Sequence, residues 1–420
     1  MNLSLTESQR LIEESAIRLL SRLDTAASRD EDVAASASRA WRDFANTGWL
    51  GMPLAEAHGG FDGGVLESGL LMRAFGRYPA TAPAGALYFS SVLLATRLIA
   101  DTGTELQRQL WLPALTAGDR RAAMAHDESG NPSPWAPRRT LAQRDANGWR
   151  LHGEKAMVMG APAADVLVVS ASLQEAGAND AGVEAGQFPL RQGLFLVAPG
   201  ATDGVRSVPT RAADGTPAAD LWLDGVWMPD TAMLGAGLTP EVPACAASAL
   251  SRVISEGLIA LSWEASGAMR SALEMTVQYT AQREQFGRAL ASFQVVQHRL
   301  AEMSVACEEA IAACELAALR VQHDPQFAET AASMAKSKVG RAARYVAEQA
   351  VQLHGAMGVS EELPVAALFR KLTQYQQQGG PTGFHSARLG TRLLSGGDWR
   401  LSQTLISPTA SPYTPSHHAA

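Results

Sequence analysis

Residues 296–321 constrain the fold more than any other part of the chain. Val296, Leu300, Met303, Cys307, Ala310, Cys314, Ala317 and Val321 recur in alternating steps of four and three. A helix places such positions on one stripe, and a stripe this long must be covered by other long helices. Cysteine and alanine in its middle leave little side-chain bulk, so the helix axes approach closely there. A second face precedes it, through Leu250, Val253, Ile254, Gly257, Leu258, Leu261, Ala265, Ala268, Met269, Ala272 and Thr276. A third helix is expected over about 327–354. Residues 239–406 therefore read as a helical bundle.

The rest of the chain has two other textures. Residues 1–120 read as helical. Leu11, Ile12, Ala16, Leu19 and Leu20 keep helical spacing, with Ser4 or Thr6 placed to cap the start. Further helices are expected over 40–47, 65–75 and 88–101. Between the first two, His58-Gly59-Gly60-Phe61-Asp62-Gly63-Gly64 marks backbone that bends sharply. Residues 121–238 hold short β-rich runs at 148–153, 165–170, 193–197 and 220–227, bounded by turn residues, which predicts an antiparallel β-domain. Residues 172–192 are polar, small and aperiodic, the pattern of a mobile loop, and 407–420 read as a disordered tail. The expected fold class is α+β: a helical N-terminal domain, a β-domain and a four-helix bundle.

Charge and composition exclude some functions. The net charge is −7 and no basic stripe is present, so no nucleic-acid partner is expected. Cys245, Cys307 and Cys314 are too few and too scattered for a disulfide framework or a zinc site, and no metal is expected. No secretory signal opens the chain and no membrane-spanning run is expected, which makes a cytoplasmic protein the default.

The usual catalytic motifs are missing: no G-x-G-x-x-G between strand and helix, no P-loop, no G-x-S-x-G and no H-E-x-x-H. Two segments stand out instead. One is Arg283-Glu284-Gln285-Phe286-Gly287, followed by Phe293-Gln294. The other is Gln352-Leu353-His354-Gly355-Ala356-Met357-Gly358. An arginine at a helix end beside a glycine can offer a fork of donors to a phosphate. Closely spaced glycines let backbone approach a bulky anion. The same residues also suit surface ion pairs and helix ends.

Both segments resemble the signature segments of acyl-CoA dehydrogenases. The turn from Gly51-Met52-Pro53 to Phe61 and the run Gly153-Glu154-Lys155-Ala156-Met157 extend the resemblance over nearly the whole chain. It implies the family's three-part architecture, FAD as cofactor and an acyl-CoA substrate. It also implies a dimer or tetramer in which FAD crosses a subunit interface. By match to the motifs, Arg283, Gln285, Phe286, Gln294, Gln352 and Gly355 would grip the ADP half of a neighbour's FAD. In the family a carboxylate takes the α-proton of the thioester while the flavin takes the β-hydride.

The sequence departs from that pattern at the chemistry. The family's glutamate falls nine residues after the arginine that corresponds to Arg370, and here that position is Gly379. The alternative family position on the first bundle helix falls on Gly257, with Glu256 about 100° away around the helix. Glu264 lies on the apolar face and reads as a structural ion pair or, less favoured, a relocated base. On the flavin-ring side, Ala125-His126-Asp127-Glu128 and Met157-Val158-Met159 stand where the resemblance implies a hydroxyl and a tryptophan-x-threonine. His126, His354 and Trp263 read first as structural residues. The Leu372-Thr373 stretch and the helix ending at His354 resemble the partner subunits of pimeloyl-CoA-type and steroid-side-chain-type dehydrogenases. Those are heteromers in which one subunit type lacks the glutamate. The resemblance thus points to a chain that completes a shared FAD site with a homologous partner, as in a heterotetramer. Three alternatives stay open. One is a homo-oligomer with a relocated base at Asp127, Glu128, Glu256 or Glu264. Another is a flavin monooxygenase or oxidase on the same fold, and the third is a non-catalytic acyl-CoA binder.

Overall fold

Thr6 caps the first helix: its hydroxyl accepts from Gln9 N (3.2 Å), and Gln9 Oε1 accepts from Thr6 N (2.9 Å). The computed structural model describes residues 5–26, 33–174, 191–235 and 242–396. The N-terminal part comprises α1 (Glu7–Ala26), α2 (Val33–Asn46), α3 (Val65–Arg77), α4 (Ala82–Tyr88), α5 (Arg97–Thr102) and α6 (Glu105–Thr116). A π-helical segment, Phe89–Thr96, joins α4 to α5 without a break. The whole stretch Pro79–Thr102 is long and apolar enough to cross a membrane, contrary to the expectation that no such run exists. It is instead packed inside the protein, with 83% of its apolar window buried.

Seven strands form one sheet: β1 (Ala122–Ala125), β2 (Leu141–Asp145), β3 (Gly148–Met159), β4 (Val166–Gln174), β5 (Gln192–Val197), β6 (Val205–Arg211) and β7 (Pro217–Pro229). The sheet is mixed rather than antiparallel. β1 and β2 both pair parallel with β4, end to end along one edge, while β5 runs antiparallel along the other. The reason lies in the connection: β1 leads into the Pro-rich segment 126–140, which crosses over before β2 begins. β1 and β2 are short and β6 is largely exposed, so none carries a clear strand pattern. The aperiodic stretch expected over 172–192 is narrower than its composition implied, since β4 runs through Gln174 and β5 begins at Gln192. Residues 175–190, and 407–420, lie outside the described residues.

The bundle consists of α7 (Val242–Gln282), α8 (Gln294–His323), α9 (Ala328–His354), α10 (Val365–Gln377) and α11 (Thr382–Leu394). The seam on α8 is buried at Val296, Met303, Cys307, Ala310, Cys314, Ala317 and Val321. α7 is covered almost all the way round from Val253 to Leu273. Its buried hydroxyls return their protons to the helix itself, as Ser262 to Leu258 O and Thr276 to Ala272 O, so they cost little inside a core. Glycines bring α3 onto α7. A β-carbon at Gly76 would fall 1.8 Å from Glu264 O, one at Gly267 2.0 Å from Arg73 O, and one at Gly69 2.5 Å from Trp263. Trp263 is thus core, with the Arg73 guanidinium over its ring.

Gly76→Ala should cost about 3 kcal/mol, because backbone rather than a flexible side chain meets the new methyl. Gly390→Ala in α11, where nothing lies within 4 Å, should gain about 0.5–1 kcal/mol. Urea unfolding of both variants checks the pair.

Candidate functional site

The N-terminal helices, the sheet and the bundle meet around a cavity of about 490 Å³. Phe89, Leu94, Met124, Met157, Met159, Ile254 and Leu258 give it an apolar lining, and Asp127, Asn131, Gln374, Gln377 and Gln378 add polar groups. This suits an organic ligand held by burial and oriented by a few polar contacts.

One wall is the turn that follows α10, Gln378-Gly379-Gly380-Pro381. Gly379 and Gly380 have φ of 65° and 98°, backbone that favours glycine. A β-carbon at Gly379 would lie 2.1 Å from Leu258 Cδ2, so Leu258 occupies the direction a side chain would take. The turn is braced from behind. Lys336, fully buried, donates to Tyr375 O (2.6 Å) and Gln378 O (2.8 Å), carbonyls at the negative end of α10. Its ammonium also lies 4.0 Å from the Tyr375 ring centroid. Burial draws its pKa down to about 7. His385 Nε2 lies 3.0 Å from Gly379 O.

The opposite wall is the segment after β1. Glu128 is buried and saturated. Its Oε1 accepts from Thr140 N, Thr140 Oγ1 and Lys155 Nζ (2.7 Å), and its Oε2 from Arg139 N. Burial raises its carboxyl, but the Lys155 charge and these bonds outweigh that and hold the pKa at about 2. Burial lowers Lys155 to about 8 even beside Glu128. His126 holds Ser170 Oγ and Pro134 O, each at 2.8 Å, one on each ring nitrogen, and burial drives its pKa well below the usual value. Both residues build the wall. Asp127, between them, is the carboxylate that lines the cavity, its side chain exposed to it. The enclosure raises its pKa and Glu128 adds to that, against Arg138 and Lys155. Met157 lines the cavity mouth with φ 51°, a strained setting for a side-chain-bearing residue, fixed by its N–H on Asp220 Oδ1 (2.8 Å).

The other candidate carboxylates are engaged elsewhere. Glu256 faces Arg252 (3.4 Å). Glu264 lies 2.7 Å from Lys371 Nζ, deep between α7 and α10. Neither lines the cavity.

The two motif segments meet at one end of the bundle. Tyr279, four residues before Arg283, stacks on His354 with ring centroids 4.4 Å apart. Arg299 of α8 donates to Gln349 of α9 (3.0 Å), which brings the start of α8 to the same place. Glu284-Gln285 and Arg288-Ala289 pair as a two-stranded hairpin whose tip is Phe286-Gly287, both at positive φ. Phe286 is 91% exposed, and Arg283, Gln285, Gln294, Gln352 and Gly355 are exposed beside it. Gly355 has φ 61°, which leaves bare backbone at the end of α9. An exposed guanidinium, three carboxamides, an aromatic face and bare backbone are a donor set that fits the pyrophosphate and base of an ADP group. The cavity suits this less well as a flavin-ring site: Asp127 would repel a reduced, anionic ring, and Met159 offers it no hydrogen bond.

This exposed cluster and the cavity are far apart in one chain. Arg283, just past the end of α7, lies twenty-five residues after Leu258, about 37 Å along the helix. The exposed segment and the cavity therefore lie well apart along α7.

Sequence reading missed the buried cations. Lys336 sits among Ala332, Ala335, Val339 and Ala343, and Lys371 among Leu368, Leu372 and Tyr375. A lysine on an apolar helix face was the available signal.

Comparison with known proteins agrees on one family. Residues 6–119 match the acyl-CoA dehydrogenase N-terminal domain and 248–394 the acyl-CoA dehydrogenase C-terminal domain. The chain is 29% identical over 324 residues to human short-chain specific acyl-CoA dehydrogenase, covering 77% of this chain and 74% of that one. Among solved structures it resembles the ChsE4-ChsE5 complex from Mycobacterium tuberculosis, with TM-score 0.75, 26% identity and coverage of 94% and 99%. A glutaryl-CoA dehydrogenase from Mycobacterium smegmatis in complex with FADH2 gives TM-score 0.76, 25% identity and coverage of 94% and 97%.

Glu128→Gln should cost about 3 kcal/mol at pH 7, because it leaves Lys155 buried without its counter-charge. The folded carboxyl lies below its ordinary value of 4.5, so its contribution is present above pH 4.5 and lost as pH falls toward about 2. Urea unfolding at pH 7 and about pH 3 should show the gap between wild type and variant narrowing in acid.

Proposed function

The chain belongs to the acyl-CoA dehydrogenase family, and from that premise we propose that it is one subunit of a heteromeric flavoenzyme acting on an acyl-CoA thioester. It lends its ADP grip to an FAD whose reacting ring lies in a cavity of a second, homologous chain, and that chain brings the catalytic carboxylate. Gly379 carries this reading. The turn that lines the cavity holds no carboxylate, and Leu258 fills the direction in which one would project.

The reach of α7 supports the shared site, because a grip about 37 Å from its own cavity serves a cavity in another chain. When bound, FAD supplies the acceptor for the hydride lost from the acyl chain. This chain's own residues bind and orient. Arg283 offers paired N–H groups to phosphate oxygens. Gln285, Gln294 and Gln352 add amide donors, and Phe286 covers an aromatic face. Gly355 lets backbone approach where a side chain would block it. A second reading, a homo-oligomer that uses its own base, is favoured by one observation: Asp127 is a carboxylate lining the cavity.

The visible spectrum of the purified chain, alone and co-expressed with a homologue carrying the glutamate, separates the two. The shared-site reading expects little flavin in the lone chain. It expects a flavin band that bleaches with an acyl-CoA in the co-expressed pair, and about tenfold weaker flavin retention when Arg283→Ala is placed in this chain. Bleaching in the lone chain supports the Asp127 reading and overturns the shared site.

A further inference from the structure

Lys371 is buried between two carboxylates, Glu264 Oε1 at 2.7 Å and Asp214 Oδ2 at 3.3 Å. All three side chains are at least 95% buried. The cluster ties together parts of the molecule that share no backbone. Glu264 comes from α7, Lys371 from α10 and Asp214 from the loop between β6 and β7. The N-terminal domain closes on it through Gly85 of α4, where a β-carbon would lie 2.8 Å from Glu264 Oε1.

Asp214 passes the constraint on to the cavity. Its Oδ1 accepts from Thr216 N (3.0 Å) and Thr216 Oγ1 (2.6 Å), which shapes the loop. Its N–H donates to Gln374 Oε1 (3.1 Å), and Gln374 Nε2 donates back to Asp214 Oδ2 (3.3 Å). Gln374 lines the cavity, and so do Ala212 and Ala213 of the loop.

The charges do not balance. One lysine faces two carboxylates, and no other charged group from α4, α7, α10 or the loop acts on Glu264. Asp214 is the better solvated by hydrogen bonds and is the one held ionised: burial raises its carboxyl, but Lys371 and Thr216 outweigh this and lower it. Glu264 has fewer bonds, and its Oε1 has the close ammonium without a well-directed hydrogen bond. Burial raises its carboxyl, against Lys371.

We propose that Glu264 and Lys371 are positioning residues for the wall of this chain's own cavity, and that the wall they hold depends on a proton carried by Glu264. With that proton the cluster is neutral, and Asp214 locks the loop 212–216 to α10. Without it a net negative charge is left in a dry interface of three domains, and the loop loosens. That an acyl thioester also enters this cavity extends the function proposed above; the proton-dependent lock does not rest on it.

The sign follows from linkage. The folded carboxyl lies above its ordinary 4.5, so this group's contribution to stability is full below that value and is lost as pH rises through the folded value. Glu264→Gln keeps the shape and stands in for the protonated acid at every pH.

The test compares wild type and Glu264→Gln, each purified in full and with its partner chain if it has one. Thermal midpoints are measured from about pH 5 to pH 9, and octanoyl-CoA binding is measured by calorimetry at both ends of that range. The wild-type midpoint should fall relative to the variant as pH rises. Its octanoyl-CoA affinity should weaken about tenfold, while the variant changes less than about twofold. Parallel midpoint profiles overturn the inference whatever the thioester does. Divergent midpoints with no octanoyl-CoA binding by either protein overturn an acyl-thioester ligand for this chain's cavity and leave the lock standing. Divergent midpoints with equal affinity changes overturn the link from the lock to the cavity.

Discussion

The rigid length of α7 sets the terms for everything else. A helix of 41 residues is about 60 Å long, and its middle, from Val253 to Leu273, is buried on nearly all sides. Its middle packs on α3 through backbone contacts that only glycine permits. Ile254 and Leu258 line the cavity, and the far end presents the exposed hairpin with Phe286 at its tip. Because the rod does not shorten, the two functional ends stay apart. That separation is what the proposed shared FAD site rests on.

Buried lysines are the second organising feature, and each is handled differently. Lys155 is matched by one carboxylate that is itself saturated with donors. Lys336 has helix-end carbonyls and an aromatic face. Lys371 has one carboxylate more than it needs. A buried ion pair adds little net stability over well-packed apolar residues, while removing one partner costs several kcal/mol. Their placement is therefore the informative part. All three brace backbone that borders the cavity: the segment after β1, the turn at Gly379 and the loop 212–216. Part of the cavity wall is irregular backbone, and buried cations hold that backbone where helix and sheet hydrogen bonds cannot.

Much of this was legible in the sequence, for physical reasons. The seam on α8 and the face on α7 follow from helix periodicity, and both are buried as the spacing requires. Arg283, Phe286, Gln352 and Gly355 were readable as a group through motif resemblance, and Tyr279 stacked on His354 explains how distant segments come together. The parallel pairings of β1 and β2 were not legible, because nothing local tells a short apolar strand which edge of β4 it joins. The membrane-length run at Pro79–Thr102 looked unremarkable because alanine and serine dilute it. The Asp214–Lys371–Glu264 cluster was only half visible: Glu264 stood out on its apolar face, but its partners come from elements far away in sequence. Leu258 against Gly379 was invisible for the same reason.

The central claim is that this chain places no proton-abstracting carboxylate against an acyl thioester in its own cavity. Exchange of the α-hydrogens of octanoyl-CoA with deuterated water, followed by NMR, tests it without requiring hydride transfer. The lone chain should give no exchange above the solvent background, and exchange should begin when a glutamate-bearing partner is added. Exchange with the lone chain, abolished by Asp127→Asn, would contradict the account and make Asp127 the base.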